Sequence, residues 1–370
     1  MKILYDSSIF DIQSFGGASK CFCEVINHLP DNVEWELALK TSKNVHLNEC
    51  GLFRNNSFRQ TYHQLKYLVK NLGFKKPILA NINRDYSISR IRKGNYDVMH
   101  HTFSDPYFLK YINKPYVYTI HDMTPEIFPQ WFNLDESWIK CKSILCEYAA
   151  HIVAISENTK QDAINILGID PNRISVVHHG GPSVVDIVGD SLIDCPYFLF
   201  VGTRSRYKNF EFLLDVFAEI HRLYPDILLV CTGASFSDGE LARMKHLGLD
   251  TNVRHLFVSD ANLKILYKYS LAFIFPSLNE GFGLPILESY ACGCPVILSR
   301  VSCFPEIGGD AAIYFDTNDS GQSLFNAMLD IINLSKTERN RLIARGYDRL
   351  NSFTWERSAL GLTEVYKSVL

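Results

Sequence analysis

The chain has 370 residues, 47% of them hydrophobic, and a formal net charge of −3. At roughly 100–200 residues per domain that length suggests two domains, and the near-neutral balance leaves no electrostatic footprint for nucleic acid. Ten cysteines are scattered from Cys21 to Cys303 without a CxxC pair, and the CxC pairs Cys21/Cys23 and Cys292/Cys294 lack matching histidines, so free thiols in a reducing compartment are expected rather than zinc.

The first strand, Lys2–Tyr5, is broken at once by Asp6 and serines, so no secretory apolar segment follows. No run approaches the ~18 apolar residues that span a bilayer. The expectation is a cytoplasmic protein, either soluble or peripheral on the inner face of the membrane. Phe15-Gly16-Gly17-Ala18 follows the strand and precedes a helix over Ser19–Leu29. Glycines there let the backbone approach a ligand.

From Arg54 to Lys93 the chain is rich in Lys and Arg and holds one acid, Asp85. Tyr62, Leu65, Leu68, Val69 and Leu72 share a helical face there, with Lys66 and Lys70 beside it. This pattern reads either as a helix docking on an anionic membrane or saccharide, or as a helix packed on a sheet with solvated lysines. Buried strands are then expected at Tyr96–His101, Tyr116–His121, His151–Ser156 and Ile174–His178. Glycine, proline, serine and aspartate cluster over Gly180–Cys195 as linker chemistry.

A second strand series follows at Tyr197–Gly202, Ile227–Thr232, Val253–Val258, Leu271–Phe275, Pro295–Ser299 and Ala312–Phe315, separated by amphipathic stretches such as Phe210–Tyr224 and Ser323–Leu334. Apolar strands alternating with helices predict parallel sheets covered on both faces, in two doubly wound halves. The expected domains are 1–182 and 195–353, with an amphipathic helix over 354–370.

The richest motif is Asn279-Glu280-Gly281-Phe282-Gly283-Leu284-Pro285-Ile286-Leu287-Glu288. It leaves an apolar strand, turns through two glycines and enters a helix with proline near its first position, where a missing N–H costs nothing. The free N–H groups of such a helix start attract phosphate. Glu280 and Glu288 bracket the turn, so one carboxylate is available for a sugar and one for a ribose. Gly202-Thr203-Arg204-Ser205-Arg206-Tyr207-Lys208-Asn209 supplies cations after another strand. A preplaced cation stabilises the charge that develops on a leaving diphosphate. His121-Asp122 ends a strand, Ser156 is placed to cap a helix, and Glu306 sits in a Pro-Glu pair.

Two glutamates separated by seven residues around Gly-Phe-Gly-Leu-Pro resemble the signature of the family 4 retaining glycosyltransferases. The resemblance covers nearly the whole chain and is strongest from Gly202 to Glu306. It implies the GT-B fold: two Rossmann-like domains facing a central cleft, with the C-terminal helix crossing back to the first. It also implies that Gly16, Gly17, Arg204, Lys208, Gly281, Phe282, Gly283, Leu284 and Glu288 bind a nucleotide-sugar donor, while His121, Asp122 and Glu280 work at the reacting sugar. Relatives carry Pro-Arg-Lys-Asn where this chain has Arg-Tyr-Lys-Asn, so Arg204 and Arg206 compete for the diphosphate. No Asp-x-Asp stands at a strand end, so transfer without a metal or other cofactor is expected. The implied reaction moves a hexose to a glycan or lipid-linked acceptor in surface polysaccharide or lipopolysaccharide assembly. Resemblance to mannosyltransferase-like branches puts GDP-mannose first and a UDP-hexose second. A nucleotide-sugar epimerase or an inactive binding protein are the readings from other classes.

Overall fold

The computed structural model describes residues 1–53, 81–132 and 136–370. Twelve strands among these form two parallel sheets of six. The first holds β1 (Lys2–Tyr5), β2 (Glu34–Leu37), β3 (Val98–His101), β4 (Tyr116–Ile120), β5 (His151–Ala154) and β6 (Ile174–Val176), in the order β2-β1-β3-β4-β5-β6. The second holds β7 (Tyr197–Phe200), β8 (Leu228–Cys231), β9 (Val253–His255), β10 (Phe273–Phe275), β11 (Val296–Ser299) and β12 (Ala312–Phe315), in the order β12-β11-β10-β7-β8-β9.

The apolar runs became the inner strands: β3, β4, β7, β8, β10 and β11 are buried at every residue. Such strands need helices on both faces, because neither face can be left to water. Registers such as Ile3↔Val98, Met99↔Tyr116 and Phe273↔Val296 align apolar side chains across each sheet. β2 was not anticipated. Its sequence, Glu-Trp-Glu-Leu, is an edge strand with exposed and half-exposed residues, so it lacks the continuous apolar run that marks the others.

Each sheet reverses its winding direction once, between β1 and β3 in the first and between β7 and β10 in the second. Ligands in open α/β sheets bind in the crevice beyond the carboxyl ends of the strands at such a reversal. The glycine loop after β1 and the two motif loops after β7 and β10 lie at these points.

The last helix, Trp355–Ser368, returns to the first sheet. Its Trp355, Ala359, Leu362, Val365 and Tyr366 join one core with Ile3, Tyr5, Phe22, Val98 and Val153. Tyr366 Oη meets Tyr5 Oη at 2.9 Å and His100 Nδ1 at 2.6 Å, and His100 Nε2 meets Thr119 Oγ1 at 2.8 Å. A fully satisfied polar chain of this kind fixes the tail in one position as well as burying it.

Candidate functional site

The loops after β7 and β10 are stitched together. Leu278 N–H donates to the Tyr207 carbonyl at 2.7 Å, and Lys208 Nζ reaches Glu280 Oε1 at 2.6 Å. Lys208 ends a short 3-10 turn, and Asn209 behind it adopts φ 56° before the helix Phe210–Leu223 begins. Asparagine is among the few side chains that tolerate that conformation. Burial works against the charge of Lys208, but Glu280 outweighs it and raises its pKa. The ammonium also stands 5.1 Å from the ring centroids of Tyr207 and Phe275. The backbone of Glu280 is pinned by Ser302, whose Oγ accepts from Glu280 N–H at 3.1 Å and donates to its carbonyl at 2.7 Å.

Arg204 is held elsewhere. Its Nε donates to Glu240 at 2.6 Å, its Nη2 to the carbonyls of Ala234 and Ser235, and its guanidinium lies 4.7 Å from the ring centroid of Phe236 and 5.6 Å from that of Phe210. Among the described residues its buried Nη1 has no hydrogen bond, so that nitrogen is uncommitted while Nε stays on Glu240. Arg206 is exposed.

The turn after Glu280 touches the opposite half. The Gly281 carbonyl accepts from Ser156 Oγ at 2.7 Å and from Thr159 Oγ1 at 3.2 Å. A Cβ on Gly281 would overlap the carbonyl oxygen of His121, so only glycine permits this approach. Ser156 also caps its own helix, Glu157–Leu167, through Thr159 N–H. Asn279 Nδ2 donates to Thr124 Oγ1 at 2.8 Å in a buried contact between the halves.

His121 packs edge-on to Phe22 and beside His179, with centroids 5.6 and 6.0 Å away. Burial pushes its pKa down to about 4, with Asp122 pulling the other way. The ring is therefore neutral at neutral pH, and among the described residues its buried Nε2 has no hydrogen-bond partner. It borders a small cavity of about 20 Å³ shared with Cys21, Thr119, His179 and Ser358. Asp122 uses Oδ1 to accept from Thr124 N–H at 2.9 Å, and its carbonyl accepts from Lys142 Nζ at 3.0 Å.

Gly283 takes φ 90° and opens the helix Leu284–Ala291, which no side chain caps. Pro285 has no N–H and Ile286 N–H donates to the Gly283 carbonyl at 2.9 Å, so of the first three helical positions Leu284 alone keeps an N–H for a ligand. Phe282 is buried against His178, His179 and Phe353. Leu284 packs against the cores of both halves. Gly17 opens the helix Gly17–Asn27 opposite, where a Cβ would stand 3.6 Å from Leu284 Cδ1. Gly16 precedes it, with Gln13 Oε1 accepting from Ser19 N–H.

Two contacts escaped the sequence reading. Lys20 Nζ meets Glu288 Oε1 at 2.9 Å across the cleft. Lys20 follows Gly16 by one helical turn, just as Glu288 follows Leu284, and that matched spacing was the available signal. Glu306 accepts from Glu157 N–H at 2.8 Å, Asn158 N–H at 3.3 Å and His178 Nε2 at 2.5 Å, so it caps a helix of the other half.

The basic face with Tyr62, Leu65, Lys66, Leu68, Val69, Lys70 and Leu72 lies outside the described residues. Beyond it, the helix Ile82–Lys93 pairs Arg90 with Glu36 and Arg84 with Asp105. Among the described residues no three His, Cys, Asp or Glu side chains gather to hold a metal ion, and no helix is long and apolar enough to cross a membrane.

Residues 15–181 match the model described as Glycosyltransferase Family 4, and residues 192–349 match that described as Glycosyl transferases group 1. The chain is similar to O-antigen chain mannosyltransferase B of Escherichia coli, at 28% identity over 271 residues covering 68% of this chain and 70% of that one. It is also similar to O-antigen chain mannosyltransferase RfbU of Salmonella typhimurium, at 27% over 205 residues, or 54% of this chain and 56% of the relative, little more than half its length. Among solved structures, Anabaena Alr3699/HepE in complex with UDP-glucose superposes with a TM-score of 0.72 at 16% identity, covering 100% of both chains. That likeness is one of fold, and the fold is GT-B.

Proposed function

The chain belongs to glycosyltransferase family 4, and we propose that it moves a hexose, mannose from GDP-mannose in first place, to a glycan or lipid-linked saccharide in surface polysaccharide or lipopolysaccharide assembly. The observation that carries the reading is the arrangement around the uncapped helix start at Gly283: Lys208 paired with Glu280 on one side, and Glu288 one turn into the helix on the other. In this reading the N–H groups of Phe282–Leu284 hold sugar and phosphate, Glu288 binds the ribose hydroxyls and Glu280 binds a sugar hydroxyl. Lys208 supplies the cation for the departing phosphate, which removes the need for a metal. Arg204 joins through its uncommitted Nη1 or by releasing Glu240. His121, neutral and with a free Nε2, offers a hydrogen bond to the transferred sugar. The similarity to O-antigen mannosyltransferases at 27–28% identity supports the mannosyl donor and the acceptor class.

The anomeric configuration is retained by front-face attack, with the departing phosphate as base. A glycosyl adduct trapped on Glu280 would overturn that step. The test of the whole is a melting-temperature screen with GDP-mannose, UDP-glucose, UDP-galactose, UDP-GlcNAc, GDP and UDP, each with Mg²⁺ or with EDTA. A ligand at ~100 times its Kd adds about 2.7 kcal/mol to stability. We expect a shift with GDP-mannose and GDP that survives EDTA and disappears in Glu288→Ala. A shift with uridine nucleotides alone replaces the donor; a shift untouched by Glu288→Ala removes the ribose assignment.

A further inference from the structure

Lys20 and Glu288 belong to different halves. Each lies one turn inside a helix that starts at a glycine loop, and the two helix starts face each other through Gly17 and Leu284. Their side chains are 33% and 24% exposed, so the bond of 2.9 Å is at the edge of the cleft interior and not on an open surface. Burial opposes the charge of Lys20, but Glu288 outweighs it and raises its pKa, so the ammonium is present at working pH. The lysine touches Oε1 alone; among the described residues Oε2 has no hydrogen bond.

We infer that Lys20 is a positioning residue for the nucleotide: it fixes the Glu288 carboxylate through Oε1 and ties closure of the cleft to occupation of the ribose site. The inference rests on the ribose reading of Glu288. A carboxylate offers about four acceptor positions. One ammonium N–H uses one of them, so a ribose diol need not displace the lysine. The bond is charge-assisted, and such bonds are shorter and stronger than neutral ones. It therefore holds the carboxylate in one orientation before the nucleotide arrives, and preorganisation of that kind reduces the cost of binding. Because the two partners come from opposite halves, the same bond spans the cleft and favours its closed form.

The test is calorimetric titration of GDP and of UDP into the wild type, Lys20→Met, Lys20→Arg, Glu288→Ala and the double variant Lys20→Met/Glu288→Ala, with circular dichroism melts as a check on folding. Turnover of GDP-mannose is followed alongside. We expect Lys20→Met to weaken nucleotide binding about tenfold and to raise KM by a similar factor, with kcat changing less than threefold. Lys20→Arg should restore most of the affinity, and Lys20→Met should cost nothing further in Glu288→Ala. Wild-type affinity in a folded Lys20→Met overturns the inference and makes the pair incidental. A tenfold loss that persists in Glu288→Ala also overturns it, because Lys20 would then act on the diphosphate directly. If Glu288→Ala alone binds both nucleotides as the wild type does, the ribose reading has failed, a result distinct from either of these.

Discussion

At the scale of single residues, Gly281 shows how a glycine in a motif acquires its meaning from what lies across the cleft. Its carbonyl is held by Ser156 and Thr159, and its Cα stands against the backbone of His121. The alanine variant must push His121 away or part the two halves. Overpacking of this sort costs about 1–3 kcal/mol, and a misplacement of about 1 Å at a reacting centre can cost ~100-fold in rate. Gly281→Ala should thus lower kcat by about two orders of magnitude while its melting temperature falls by only a few degrees. Retained turnover in a folded Gly281→Ala would show that the contact with His121 does not position the reacting groups. The motif around Gly281 was readable from its neighbours in sequence, because glycines, proline and paired glutamates are chemically conspicuous. The partner of each was not. Only the matched one-turn spacing of Lys20 and Glu288 hinted at their pairing, and nothing around Arg204 in the sequence announced Glu240 or the carbonyls of Ala234 and Ser235.

At the scale of elements, the helix Glu157–Leu167 is capped twice, by its own Ser156 and by Glu306 from the other half. Burial pushes the Glu306 pKa up, but His178 and the two backbone N–H groups outweigh it and hold the carboxyl below its usual range. An anion at a helix N-terminus also answers the helix dipole. Loss of a cap costs about 0.5–2 kcal/mol. In Glu306→Ala that loss falls on the contact between halves, since Ser156 remains to cap the helix locally. Hydrogen exchange at Glu157 and Asn158 should quicken several-fold, and the radius of gyration from small-angle scattering should rise. Unchanged exchange at both amides would mean that the halves stay together without this carboxylate. Such a link is invisible to periodicity, which finds buried strands and amphipathic helices one at a time. It recovered the apolar strands from Lys2–Tyr5 to Ala312–Phe315 but passed over Glu34–Leu37, whose alternating charges suit a sheet edge. In the sequence Glu306 stands in a Pro-Glu pair, and nothing there names Glu157, Asn158 or His178 as its partners.

At the scale of the whole molecule, the first half carries a row of three imidazoles beneath the cleft, His100 and His179 buried and His121 half-buried. His100 bonds Tyr366 and Thr119, His121 ends β4, and His179 lies between His121 and Trp355. Burial lowers all three, His100 to about 3, His121 to about 4 and His179 well below the ordinary value. The unfolded chain takes up these protons near pH 6.5 and the folded chain does not. Their contribution to stability is therefore complete above pH 6.5 and declines as pH falls from there toward 4. Each unmatched proton is worth about 1.4 kcal/mol per pH unit once the unfolded histidine is charged. Three histidines then give a loss of roughly 3–4 kcal/mol between pH 7 and pH 5.5. Carboxylates held below their usual range, Asp6 and Glu306 among them, withdraw their support only at lower pH. Melting temperatures measured at pH 7.5, 6.5 and 5.5 should accordingly fall slightly over the first interval and about three times as far over the second, with proton uptake approaching three on unfolding at pH 5.5. Replacing His100 by asparagine should lower the starting stability and remove about one of those protons. A melting temperature that is flat down to pH 5.5 would mean that the imidazoles charge within the folded protein. The interior at the base of the cleft would then be wetter than the packing of Phe22, Phe282 and Trp355 around them implies.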